Sequence, residues 1–344
     1  ELAVAKGNDM GEIMKEDRLI PREVLFGNPD KIAVRMSEDG KYISYLAPLE
    51  GVLNVFVAPA NNPLTGKAIT ADKERGIRSY FWAENSNNVI YSIDNKGDEN
   101  FRLYSIDINT KESIILTPKE GIRASVIKKS KSFPDEILVQ MNKRVPEYFD
   151  IYKINVKSGK AEIFFENKEK YLSFIIDDNF KILFAYKMLP TGEGEIYSFK
   201  NGDLSSPELF QKIKTEDMLT SSLLHITADG RTLYAIDSSQ RDKSALFEID
   251  LSTQKRTLLY EDTRADIDSC LVEPISKKIQ AVSIDYLQKE WIILDPQIKE
   301  DIKNLAKLNE GTIEITSRVE NDNKWIVVYM QDDGPYKYYL YDRA

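Results

Sequence analysis

The chain has 344 residues, a net charge of −9 and 42% apolar residues, with one histidine and one cysteine. An acidic balance with scattered basic residues argues against nucleic acid as a partner, and no apolar run approaches the roughly 20 residues of a membrane-crossing helix. Cys270 has no second cysteine with which to form an internal disulfide, and one His plus one Cys is too few for a zinc centre, so no metal and no cofactor is expected.

Residues 1–31 read as an N-terminal extension. From residue 32 a unit of about 46 residues recurs to the end of the sequence, a period typical of propeller blades. Its first recurring strand is Asp39–Tyr45 (DGKYISY). The strand returns at Ser86–Ser92, Pro134–Gln140, Asn179–Ala185, Asp229–Ala235, Ser276–Val282 and Asp322–Val328. A second strand keeps step through Phe56, Tyr104, Tyr152, Tyr197, Phe247, Ile292 and Tyr339. In Phe101–Ile108, alternate residues place apolar groups on both faces, as a sheet sandwiched between two neighbours requires.

Ile77–Trp82 and Ser222–Thr227 precede the first strand and are expected innermost. Ser113–Thr117, Ala161–Phe165 and Arg256–Tyr260 follow the second across polar turns, as outer edge strands do. The expected fold is therefore an all-β, seven-bladed β-propeller with about four antiparallel strands per blade. The blades are read at about 32–70, 76–118, 121–167, 171–213, 222–262, 266–311 and 313–344, the last without a recognisable fourth strand. After Asp295-Pro296, Ile298, Ile302, Leu305, Ala306 and Leu308 fall at helical spacing where an outer strand is due. A short amphipathic helix on the rim of blade six is expected, with an irregular outer edge as the alternative.

Catalytic patterns are sparse. None of the sixteen glycines has a serine two places later, so the nucleophile elbow of an α/β-hydrolase is missing, and His225 is the only histidine available as a base. His225 lies in the alternating run Leu223–Thr227 and reads as a hydrogen-bonded structural residue, and Cys270 as filler in an inner strand. Asp177-Asp178 and Asp332-Asp333 could serve a hard cation, but read first as acids of exposed turns.

Several stretches resemble the propeller half of the prolyl oligopeptidase family, in its dipeptidyl-peptidase and acylaminoacyl-peptidase branch. They are Ile20–Pro29, Gly76–Tyr80, Gly97–Tyr104, Leu116–Pro118, Gly121–Ala124, Phe133–Val139 with Asn142 and Arg144, and Asp333–Arg343. The resemblance implies that an α/β-hydrolase domain of the same protein follows the propeller and carries the serine, acid and histidine. It also implies that the propeller limits access to oligopeptide substrates. The sequence stops at Ala344, where that domain is expected, so no catalytic residue is carried over and this chain alone is expected to be inactive. Without its partner domain the ring is expected to expose an apolar face and self-associate.

Three arginines are candidates for substrate binding. Arg78 and Arg123 follow Gly-Ile at matching points of blades two and three, and Arg144 is placed on a loop of blade three. A guanidinium at the ring mouth can hold a peptide carbonyl or carboxylate through its planar donors; the competing reading is an ion pair between blades. A free-standing propeller acting as a protein- or peptide-binding scaffold is the alternative function, and either a cytoplasmic or a periplasmic location fits a single cysteine.

Overall fold

The recurring Asp-Gly turn has a local cause. In blade one, Asp39 Oδ1 accepts from Ser37 Oγ at 2.7 Å and from the Lys41 backbone N–H at 3.1 Å, while Gly40 takes φ +73°. Blade five repeats the device with Thr227, Asp229, Arg231 and Gly230. A side chain that satisfies the turn's own backbone favours the reversal, and glycine enters the left-handed region without a steric penalty.

The computed structural model describes residues 21–94, 96–118 and 121–343. Most of the 1–31 extension, including Ile20, lies outside the described residues. The described residues form seven antiparallel sheets, five of four strands and two of three, each a meander in which neighbours in sequence are neighbours in the sheet. The inner strands are Ile32–Met36, Ser79–Trp82, Ala124–Lys129, Ser173–Ile176, Ser222–Ile226, Ile267–Val272 and Thr312–Arg318. The expected propeller is the observed fold.

Both faces of each sheet are covered, so second strands are apolar nearly throughout. In blade seven Trp325, Ile326, Val327, Val328 and Tyr329 are all buried. Leu46, Val55, Trp82 and Val89 fill the gap between blades one and two; Ile90, Leu103, Val139 and Ile154 fill the next. Blade one is built wholly from the first strands and blade seven wholly from the last, so among the described residues no strand is exchanged where the ring closes. Closure rests on packing of Val34 and Ile43 with Val319 and Ile326, and on hydrogen bonds such as Met36 N–H to Ser317 Oγ at 3.1 Å.

The expected helix is present. Helix α1 is the short Arg22–Phe26 turn, and α2 spans Lys299–Leu308, in place of an outer strand in blade six. Ile298 and Leu305 pack against Trp325 and Tyr329 of blade seven, and the Tyr329 hydroxyl donates to the Leu305 carbonyl at 2.6 Å. The helix therefore joins the last two blades rather than merely decorating the rim of one.

Candidate functional site

Meander topology divides the ring into two faces. Each inner strand begins on one face, called here the start face, which also carries the hairpins between second and third strands. The opposite turn face carries the first-to-second turns. Those turns meet across blades. Glu320 N–H donates to the Glu38 carbonyl, Asp39 N–H to Ser86 Oγ, and Ala228 N–H to the Ser276 carbonyl. All seven inner strands thus run the same way, and their first residues gather at one mouth of the ring.

Arg78 and Arg123 occupy equivalent places at that mouth, each one residue before an inner strand. The preceding glycines, Gly76 and Gly121, have φ of +76° and +61°. They turn the chain inward so that Ile77 is fully buried and Ile122 packs on the core between blades two and three. The arginine that follows faces solvent. Neither guanidinium makes a hydrogen bond or ion pair with another of the described residues. Arg78 lines a cavity of about 470 Å³ floored by Ile32, Leu46 and Leu53. Arg123 is held by its backbone, whose N–H donates to Asn142 Oδ1 at 2.8 Å.

Arg144 behaves differently. It lies within the second strand of blade three, Glu136–Val145, and not on a loop. Its Nε and Nη2 donate to the two oxygens of Asp150 at 2.8 and 2.7 Å, and that carboxylate is completely buried. The Asp150 bond, followed by the neighbouring negative charges, holds the Arg144 pKa above the usual guanidinium value. This is an ion pair within one blade. The strand hairpin at Pro146-Glu147 brings the two residues together, and their spacing around that hairpin is the signal in the sequence that points to the pair.

Exposed apolar side chains collect on the start face. Phe26, Leu219 and Leu287 are 81%, 100% and 93% exposed, and Val24, Leu172, Met188 and Tyr336 join them. The turn face has Leu64, Leu204 and Ile275. There Lys129 of blade three reaches Glu38 of blade one and Glu84 of blade two. Burial alone would lower the lysine pKa; the two carboxylates outweigh it and hold it above the ordinary value.

The remaining candidates have structural surroundings. His225 Nε2 is bonded to the Lys277 carbonyl at 2.8 Å, and burial keeps the ring's pKa below the usual histidine range. Asp177 Oδ1 accepts from the Asn179 and Lys181 backbone N–H groups, closing its own turn. Burial, aided by the charge of Asp268, pushes the Cys270 thiol up to about 12, which leaves it a poor nucleophile.

No family model matches the chain. It is 41% identical over 326 residues to dipeptidyl aminopeptidase BIII of Pseudoxanthomonas mexicana, covering 95% of this chain and 47% of that protein. It is 25% identical over 342 residues to dipeptidyl peptidase family member 6 of Caenorhabditis elegans, covering 94% of this chain and 46% of that protein. A solved prolyl endopeptidase structure superposes with a TM-score of 0.66 at 12% identity, over 91% of this chain and 48% of the other, a likeness of fold. The chain spans about half the length of the curated relatives it matches.

Proposed function

We propose a gating role for this chain, which is a β-propeller of the prolyl oligopeptidase-like peptidases: it is the non-catalytic half of a serine peptidase, set over a hydrolase domain and limiting which oligopeptides reach it. The observation that carries the reading is the composition of the start face, where two arginines without partners among the described residues lie together with Leu219 and Leu287, the two most exposed large apolar side chains among those residues. Exposed apolar side chains beside cations suit a partner domain and a peptide terminus better than open solvent. The chemistry would belong to the partner domain. There a serine would attack the scissile carbonyl with histidine as base, while backbone amides hold the oxyanion.

The test uses the protein with a hydrolase domain attached. A fluorophosphonate probe should label that protein and leave this chain untouched. Leu219→Asp and Leu287→Asp together should weaken docking and let longer peptides be cleaved. Labelling of this chain, or a length preference unchanged by the double substitution, would overturn the reading.

A further inference from the structure

We infer that a cavity between blades four and five is a binding site for one aromatic or branched aliphatic side chain of an extended oligopeptide. The inference rests on the reading that peptides reach the start face, and names one feature they would need. The cavity encloses about 230 Å³ and opens between the first residues of two neighbouring inner strands, Ser173 and Ser222. Phe184, Ile196 and Ile213 form its buried floor, and Met218 and Leu223 its wall. Ser173 and Ser222 are exposed and form its lip.

The hollow has a local origin. Gly194 opens the third strand of blade four, and a Cβ there would meet Tyr186 Cε2 at 2.7 Å and Met218 Sδ at 2.9 Å. Both side chains lean over the bare backbone, where the Tyr186 hydroxyl donates to Met218 Sδ at 3.3 Å. The space they would otherwise fill stays empty.

The lining decides the ligand class. Among the described residues no charged side chain borders this cavity, whereas the one between blades six and seven is edged by Lys289 and by the acids Asp268, Asp285, Glu310, Glu314, Asp332 and Asp333. A cavity of about 150 Å³ already accepts a benzene ring, so the space is large enough for one phenyl or isobutyl group, and the serine hydroxyls at its lip leave its floor apolar. Met218 adds an adaptable wall. Among the described residues the two inner strands pair only with their own second strands. Their channel-side edges therefore leave backbone N–H and C=O groups for an extended chain, which would hold a peptide while its side chain enters the pocket.

The test titrates labelled pentapeptides that differ only at a central Phe, Leu, Ser or Asp into this chain. Anisotropy and the methyl resonance of Met218 are followed together. The Phe and Leu peptides should bind at least tenfold more tightly than the Ser and Asp peptides and shift the Met218 methyl, a ratio consistent with burying one such side chain. Ser222→Phe at the exposed lip should abolish that preference without changing the melting temperature. Gly194→Ala, which pushes Tyr186 and Met218 into the space, should reduce it. Binding indifferent to the central residue, or a Met218 methyl that does not move, would overturn the pocket and leave the gating proposal standing. Binding to this chain that vanishes once a hydrolase domain is attached would assign the cavity to a side chain of that domain, and would also overturn it.

Discussion

Lys129 and Glu84 belong to different blades, yet the Lys129 ammonium donates to Glu84 Oε1 at 3.1 Å, and the same nitrogen reaches Glu38 Oε1 at 2.9 Å and the Trp82 carbonyl at 2.8 Å. One side chain thus ties three blades at the turn face. Since no strand is exchanged at the closure among the described residues, the ring depends on such cross-blade bonds as well as on apolar packing between its sheets. Glu84 Oε2 is buried without a partner among the described residues, so the ammonium is the main charge compensating that carboxylate.

Lys129→Met should destabilise the ring by about 1–3 kcal/mol, since it leaves two part-buried carboxylates facing each other. The pH dependence has a definite sign. The folded-state pKa lies above the ordinary 10.5, so the lysine's contribution is fully present below that value and is lost as pH rises through the higher folded one. Urea melts of both proteins should differ by a constant amount from about pH 7 to about 9.5 and converge only in strong alkali. A deficit that disappears near neutrality would contradict this account.

The three candidate arginines should separate in a thermal melt. Arg144→Ala strands the buried Asp150 carboxylate and should lower Tm by at least ~2 °C, and Arg144→Lys should recover only part, because an ammonium cannot span both oxygens. Arg78→Ala and Arg123→Ala remove no bond to the described residues and should leave Tm unchanged. With the proposed hydrolase domain attached, the same two substitutions should lower kcat/KM for short peptides about tenfold, the loss of one charge-assisted hydrogen bond to substrate. An unchanged kcat/KM would remove both from the substrate path.

These arginines also mark how far the sequence can be read. The ring and the helix of blade six follow from spacing, since turn, strand and apolar run recur in register and Ile298, Ile302 and Leu305 break the period in a helical way. The Gly-Ile-Arg elements are equally local, and the structure places both alike. Arg144 reads as a loop residue because Asn142, Lys143 and Arg144 are three polar residues in a row. They nevertheless extend the strand Glu136–Val145, whose register becomes irregular between Met141 and Val145, so only the spacing of Arg144 and Asp150 around the hairpin points to their pairing. The Lys129 cluster and the cavity beside Met218 lie beyond the reach of spacing. Each is made by residues from different blades, and acids and apolar side chains are too abundant for a periodic pattern to select the partners.

Cys270 should react slowly in the folded chain. Burial pushes its thiol up to about 12, so at about pH 8 roughly one molecule in 10⁴ carries the reactive thiolate, against about one in ten for an ordinary cysteine. Labelling with a disulfide reagent at that pH should therefore speed up about a thousandfold when the chain is unfolded in urea. Comparable rates in the two states would mean that the inner strand of blade six is open to solvent.

Helix α2 offers a test of how the last two blades are joined. Leu305 is buried among Ile298, Trp325 and Tyr329, so Leu305→Ala removes packing on both sides of the interface and should cost about 2–5 kcal/mol. Tyr329→Phe removes only the hydroxyl that donates to the Leu305 carbonyl, near the end of the helix, and should cost about 1 kcal/mol. Because the two residues share one contact, the double variant should lose less than the sum of the singles. Strictly additive losses in chemical denaturation would mean that the helix is anchored to blade six alone, and that blade seven holds its place in the ring without it.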